Sequence, residues 1–335
     1  MREIRERVNT ATVGLEALLT EAERIKSVSK DYIVEVPAYD DNIRFTKDGT
    51  LWFRPDGAKR KGKEFELTPY AMKQFCSKIT DGRVTVPGDF MQECLEYGDK
   101  ALVEKTINTW LPRKKKGGFL FRQTEDHLRA ALSPRYSIYD SERILDVIDK
   151  KVDLSGYKIK GSFINEERLH VRFISEEMME IEGEDLFPAI FLDSSDVGRN
   201  TLIVTFGIYK MVCTNGLVIG RADGILFKQR HIGIDPEEFE YGIAAGLDKI
   251  PMLTENAQIW VEKARTENMK IDDVIKDLEK LSLKKETDNV ISLMDNRYGR
   301  SRWGYINAIT EVAQKYTLEK REELEAVAGK ILVAA

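Results

Sequence analysis

The sequence is poor in the residue types on which most active-site chemistry depends. Three cysteines and three histidines serve 335 residues. Cys76, Cys94 and Cys213 are odd in number, show no CxxC spacing and have no histidine pair nearby, which argues against disulfides and zinc and for a reducing compartment. His127, His170 and His231 have no second histidine or cysteine at i+3 or i+4, so a metal site would need distant segments to converge. GxxxxGK[ST] and GxGxxG are both missing, and Gly117-Gly118 is not flanked by strand and helix in the order a phosphate loop needs. No window approaches about 18 apolar residues, and the opening MREIRERVNTATVG lacks an apolar core of signal-peptide length. A cytoplasmic protein with no membrane contact is therefore expected. Charge of one sign is not in excess: 52 Lys and Arg against 57 Asp and Glu leave −5, so nucleic-acid binding would need a local basic patch.

What is present is patterning. Ile4, Val8, Ala11, Leu15, Leu18, Ala22 and Ile25 alternate spacings of four and three, the seam of a helix that packs on another helix, in its own domain or in a neighbouring subunit. This gives an N-terminal arm over 1–28. A small α+β region over 29–116 follows. It holds short strands around Tyr32, Ile43 and Trp52, a polar loop from Arg54 to Glu64, and a helix capped by Thr68 and begun by Pro69. Two further helices follow, one after Pro87 and one from Ala101 to Trp110.

The segment 117–235 reads as a β-rich core, with a strand at Phe119–Phe121, a short helix at His127–Leu132 and a meander from Tyr157 onward. Its strongest signal is Asn215-Gly216 between apolar runs, a hairpin turn. From 236 to 335 the pattern is helical. The expected fold class is α+β, a mainly antiparallel sheet with helices at both ends.

The search for chemistry yields little. Cys213 with His231 is the one nucleophile–base pairing available, and a buried cysteine ending a strand explains Cys213 better. The acidic run from Glu176 to Asp185 reads as solvated surface. No cofactor is implied, and no catalytic activity is expected.

Basic residues interleaved with aromatics are the better signal. Arg113, Lys114, Lys115, Lys116, Arg122, Arg129 and Arg135 fall among Phe119, Phe121, Tyr136 and Tyr139. Lys210, Arg221, Lys228 and Arg230, around the hairpin, extend the set, as do Arg297, Arg300 and Arg302 with Tyr298 and Trp303. Cations neutralise phosphate, and flat rings offer stacking worth about 1–3 kcal/mol per base. The competing explanation is that lysine runs solvate loops.

Three blocks resemble the phage- and plasmid-like domain-of-unknown-function 932 family. These are Leu128-Arg-Ala-Ala-Leu-Ser-Pro-Arg-Tyr136, Val212-Cys-Thr-Asn-Gly-Leu217 and Trp303-Gly-Tyr-Ile-Asn-Ala-Ile-Thr310. The resemblance spans roughly Phe119 to Tyr316 and supplies no catalytic residues. It implies a mobile-element setting near DNA metabolism or anti-restriction, similar to that of phage strand-annealing proteins.

The expected function is accordingly single-stranded DNA binding, with strand annealing, by a homo-oligomer linked through the first helix. The alternative is a protein-interaction factor that inhibits a host defence enzyme, with the Glu176–Asp185 acids mimicking nucleic acid.

Overall fold

The computed structural model describes residues 14–334 apart from 36–41, 56–61, 81, 83, 152–153, 182, 211–214, 219–223, 234–235 and 281–282. The fold is α+β, built on two sheets. No described helix is long and apolar enough to cross a membrane.

The first sheet takes its strands from β1 (Ser29–Glu35), β2 (Ile43–Phe45), β3 (Leu51–Phe53), β4 (Lys63–Leu67), β5 (Gly118–Thr124) and β6 (His127–Leu132). Their order is β1-β5-β6-β4-β3-β2, antiparallel except for β4 against β6. Three helices cover it: α2 (Pro69–Lys78), α3 (Gly88–Glu96) and α4 (Lys100–Trp110). Thr68 caps α2 as expected, its hydroxyl accepting from Ala71 N at 3.1 Å. Phe53, Phe75, Phe119 and Phe121 fill the shared core.

Three sequence readings change here. His127–Leu132 is strand β6, not a helix, because pairing with β5 and β4 overrides the helix propensity of its leucines and alanines. Lys63–Leu67, partly read as loop, is β4. Strands β5 and β6, assigned by sequence to the later β-rich segment, pair with β1 and β4.

The second sheet comprises β7 (Tyr157–Ile159), β8 (Phe163–Ile164), β9 (Leu169–Ser175), β10 (Leu186–Ser194), β11 (Leu202–Lys210), β12 (Asn215–Val218) and β13 (Ile225–Gln229). Its order is β12-β11-β10-β9-β7; β13 also pairs with β11, and β8 with β9. The expected hairpin is there, but Lys210 pairs with Asn215 and Tyr209 with Gly216. Asn215-Gly216 therefore belongs to the ladder, and the connection 211–214 lies outside the described residues.

Helices α6 (Pro236–Leu247), α7 (Ile250–Thr266), α8 (Ile271–Lys280), α9 (Thr287–Leu293), α10 (Arg302–Ala313) and α11 (Leu318–Val333) complete this half. With α1 (Leu15–Val28) and α5 (Ser141–Lys151), they bury the largest core. Leu18, Ala22 and Ile25 of the predicted seam pack there with Ile144, Leu145 and Ile148 of α5. The later half of the seam is thus covered within the chain; Ile4, Val8 and Ala11 lie outside the described residues.

Candidate nucleic-acid interface and adjoining polar sites

The antiparallel β5–β6 hairpin brings the loop before Gly118 beside the turn after Leu132. A Cβ added to Gly118 would lie 3.3 Å from Pro134 Cγ and 2.5 Å from Val34 O, so only glycine permits this approach. Arg113, Lys115, Lys116 and Arg135 are exposed at this end of the hairpin. Glu35 stands opposite Gly118 in the ladder.

Lys114 is not on the surface: it is buried, its Nζ 5.5 Å from the centre of the Phe119 ring. The Lys114 charge reaches Lys78, whose pKa is lowered to about 8 by burial and then by Lys114. Arg113 lies over the half-buried Trp110 ring at 4.8 Å.

The same turn carries the basic track into the second sheet. Tyr136 forms a β-bridge with Ile232, and Ser137 N donates to His231 O at 2.9 Å. Exposed Arg230 and Lys228 therefore continue from Arg135. Lys210 does not join them. Lys228 pairs with Ile203, seven residues from Lys210 along β11, roughly 23 Å at strand spacing. Arg221 lies outside the described residues.

Arg122 and Arg129 require a correction: neither is available to a phosphate. A bulge in the β5–β6 ladder sets Arg122 against Ala130 and Gln123 against Leu128, leaving Arg129 as the extra residue. Both arginines are 1% exposed. Arg129 holds Asp196 with two hydrogen bonds, at 2.9 and 2.7 Å, and donates to Glu166 O at 2.7 Å. Arg122 donates to Asp140, with Asp31 at 3.6 Å and Asp196 at 3.5 Å. Burial opposes the Arg122 charge, but Asp196, Asp140 and Asp31 outweigh it, and its pKa rises. Burial pushes the Asp31 carboxyl up against the pull of Arg122. This network joins the two sheets.

The aromatics also differ from expectation. Phe119, Phe121 and Tyr139 are core residues. Tyr136 stacks on buried His231 at 5.1 Å and donates its hydroxyl to Ser195 O at 2.8 Å. Neither His231 ring nitrogen has a hydrogen-bond partner among the described residues. Burial, the largest influence, pulls its pKa down. Cys76 is buried and its thiol is pushed up to about 12, an inert form. Cys213 lies outside the described residues.

A second polar site, which the sequence did not single out, holds His170, Asp193 and Glu322. Their ligand-type atoms lie within 4.8 Å of one another. Arg168 Nη2 donates to both carboxylates, reaching Glu322 at 2.7 Å, and Arg172 Nε donates to His170 Nε2 at 2.9 Å. His170 therefore carries its proton on Nδ1 and donates it to Asp193 at 3.0 Å. Burial raises the Asp193 pKa, but His170 and Arg168 prevail and hold it below the usual carboxylate value. A guanidinium already supplies the positive charge a metal would bring. With Arg172–Glu325 at 3.0 Å, the group ties α11 to β9 and β10.

The third site is a cleft of about 320 Å³ lined by Gly183, Glu184, Asp185, Lys210, Arg297, Tyr298, Trp303 and Asn307. Lys210 Nζ contacts Glu184 Oε2 at 2.7 Å and Asn307 Oδ1 at 2.9 Å. It lies 5.6 Å from the Trp303 ring and 5.8 Å from the Tyr298 ring. Trp303 Nε1 donates to Glu184 Oε1 at 2.7 Å. Lys210 is thus a cation enclosed by its own partners.

Over residues 130–330, more than half of its length, the chain matches the family described as Domain of unknown function (DUF932), and it belongs to that family. No curated protein and no solved structure matches it. The matched range begins in β6, so β1 to β5 lie before it. Trp303 and Asn307 of the late block line the Lys210 cleft, whereas Arg129 and Tyr136 of the first block serve the junction between the sheets.

Proposed function

We propose that this protein binds single-stranded nucleic acid, DNA foremost, along the basic track, and that it plays no catalytic part in doing so. One observation carries the reading. Arg113, Lys115, Lys116 and Arg135 are exposed together at one end of the β5–β6 hairpin, where the chain at Gly118 approaches Pro134. A polyphosphate backbone presents anions in series, which a group of exposed cations can neutralise. The bridge between Tyr136 and Ile232 continues the track to Arg230 and Lys228. This geometry suits backbone contacts rather than base reading, because the aromatics of the segment are mostly core.

The test is fluorescence anisotropy of a labelled oligodeoxynucleotide at about 50 mM salt. Full-length protein should bind, and a Lys115→Glu, Lys116→Glu, Arg135→Glu variant should not. No binding at micromolar protein removes the reading. Recovery of one stoichiometric host protein after nuclease treatment would then favour inhibition of a host enzyme.

A further inference from the structure

We propose that the contact between the turn after β6 and the end of β13 is a proton-operated latch: uptake of a proton by His231 parts the two and divides the basic track. The latch itself stands on the geometry of this contact, while its effect on binding rests on the proposed function.

His231 makes the contact with both its main chain and its ring. Ser137 N donates to His231 O at 2.9 Å, and the next residue, Ile232, forms the antiparallel bridge with Tyr136. The ring lies parallel to Tyr136, centres 5.1 Å and planes 7° apart, with the Tyr139 ring at 6.2 Å, and the residue is 4% exposed. Neither ring nitrogen has a hydrogen-bond partner among the described residues. Packing holds this ring. A neutral imidazole leaves one donor unmet there, whereas an imidazolium brings two donors and a charge out of water.

The charges that face the ring offer the added proton no partner. Asp196 already accepts from Arg129 at 2.9 and 2.7 Å and has Arg122 at 3.5 Å. Asp140 and Asp31 are engaged with Arg122 as well. Asp196 and the Ser137 backbone favour the charged ring, burial and Arg122 oppose it, and burial prevails. Parting the contact gives both nitrogens to water, so the open form binds the proton more tightly than the closed one. By linkage, each pH unit below about 6.5 raises the open population by up to about tenfold, until the closed-form value is passed. Asp31 works in the opposite direction, because burial pushes its carboxyl up and favours its proton in the closed form.

The contact also sets the cations in line. Arg135 precedes Tyr136, Arg230 precedes His231, and Lys228 lies two residues before Arg230. Parting the bridge leaves Arg113, Lys115, Lys116 and Arg135 on one side and Lys228 and Arg230 on the other. Acid alone would strengthen a nucleic-acid complex, since the protein gains positive charge while phosphodiesters keep theirs. The latch predicts the reverse.

The test is hydrogen–deuterium exchange of full-length protein without nucleic acid, parent beside His231→Phe, from about pH 7.5 to about pH 5. Peptides covering 133–139 have the same sequence in both proteins, and both keep Asp31, so their ratio reads His231 alone. Exchange in the parent relative to the variant should rise about tenfold across this range. His231→Gln, uncharged at every pH, repeats the comparison if the phenylalanine variant does not fold. A ratio that stays constant overturns the latch, whatever an oligonucleotide does. Over the same range the parent's oligonucleotide affinity should fall about threefold or more, while the variant's holds or rises. Parallel affinities in the two proteins would overturn the link to the track. No binding by either protein at any pH would remove the proposed function instead, with the exchange ratio still deciding the latch.

Discussion

Arg129 grips Asp196 through both terminal nitrogens, Nη1 to Oδ1 at 2.9 Å and Nη2 to Oδ2 at 2.7 Å. One partner sits on the bulge of the first sheet and the other follows the last residue of β10 in the second. Arg122 approaches the same carboxylate at 3.5 Å. Two buried cations thus depend on Asp196.

Removing that charge should be costly. Breaking a buried pair leaves an uncompensated ion, typically about 3–5 kcal/mol. Asp196→Asn keeps the shape and deletes the charge, so urea unfolding should show a loss of that order. A loss below about 1 kcal/mol would mean the pair is not what holds the sheets together.

The cleft wall makes a second, independent prediction. Gly304→Ala would set a methyl 2.0 Å from Gly299 O and 2.8 Å from Tyr298 O, both backbone atoms. The start of α10 must then move off the π-helical turn Met294–Tyr298, at about 1–3 kcal/mol for overpacking. A melting temperature unchanged from the parent would contradict the close approach.

Two histidines should respond to pH in opposite directions. His127 Nε2 meets Glu166 at 2.8 Å, and that hydrogen bond, outweighing burial, raises its pKa above 6.5. Its stabilising contribution is full below the unfolded pKa near 6.5 and is lost as pH rises through the folded value. His127→Gln should therefore cost more stability at pH 6 than at pH 8.5. Buried His231, depressed chiefly by burial, behaves in reverse. Its contribution is full above about 6.5 and is lost as pH falls toward the folded value. His231→Phe, which keeps the stack on Tyr136, should flatten the acid limb. Urea midpoints across pH 5–9 check both.

Local signals were legible wherever the chemistry was local. Thr68-Pro69 announced α2. The α+β class followed from the change of period along the chain. His127–Leu132 was misread because Leu, Arg and Ala favour helices, while the signal that mattered was the two-residue Glu125-Asp126 turn, with Glu125 at φ 54°. Burial was invisible for the same reason. The partners of Arg122 and Arg129 lie as far away in sequence as Asp31 and Asp196, so counting cations could not separate the buried from the exposed. The Lys210 cleft needed β11, the 183–185 loop and α10 to meet; the sequence offered its residues but not their meeting.

The salt dependence of oligonucleotide binding tests the central claim most directly. Six exposed contacts, from Arg113, Lys115, Lys116, Arg135, Lys228 and Arg230, predict that log K falls against log salt with a slope of about −4, at roughly −0.7 per phosphate on a single strand. Reversing Lys115 and Lys116 should flatten that slope by about a third. A slope near zero, or one unchanged by the two reversals, would contradict the account.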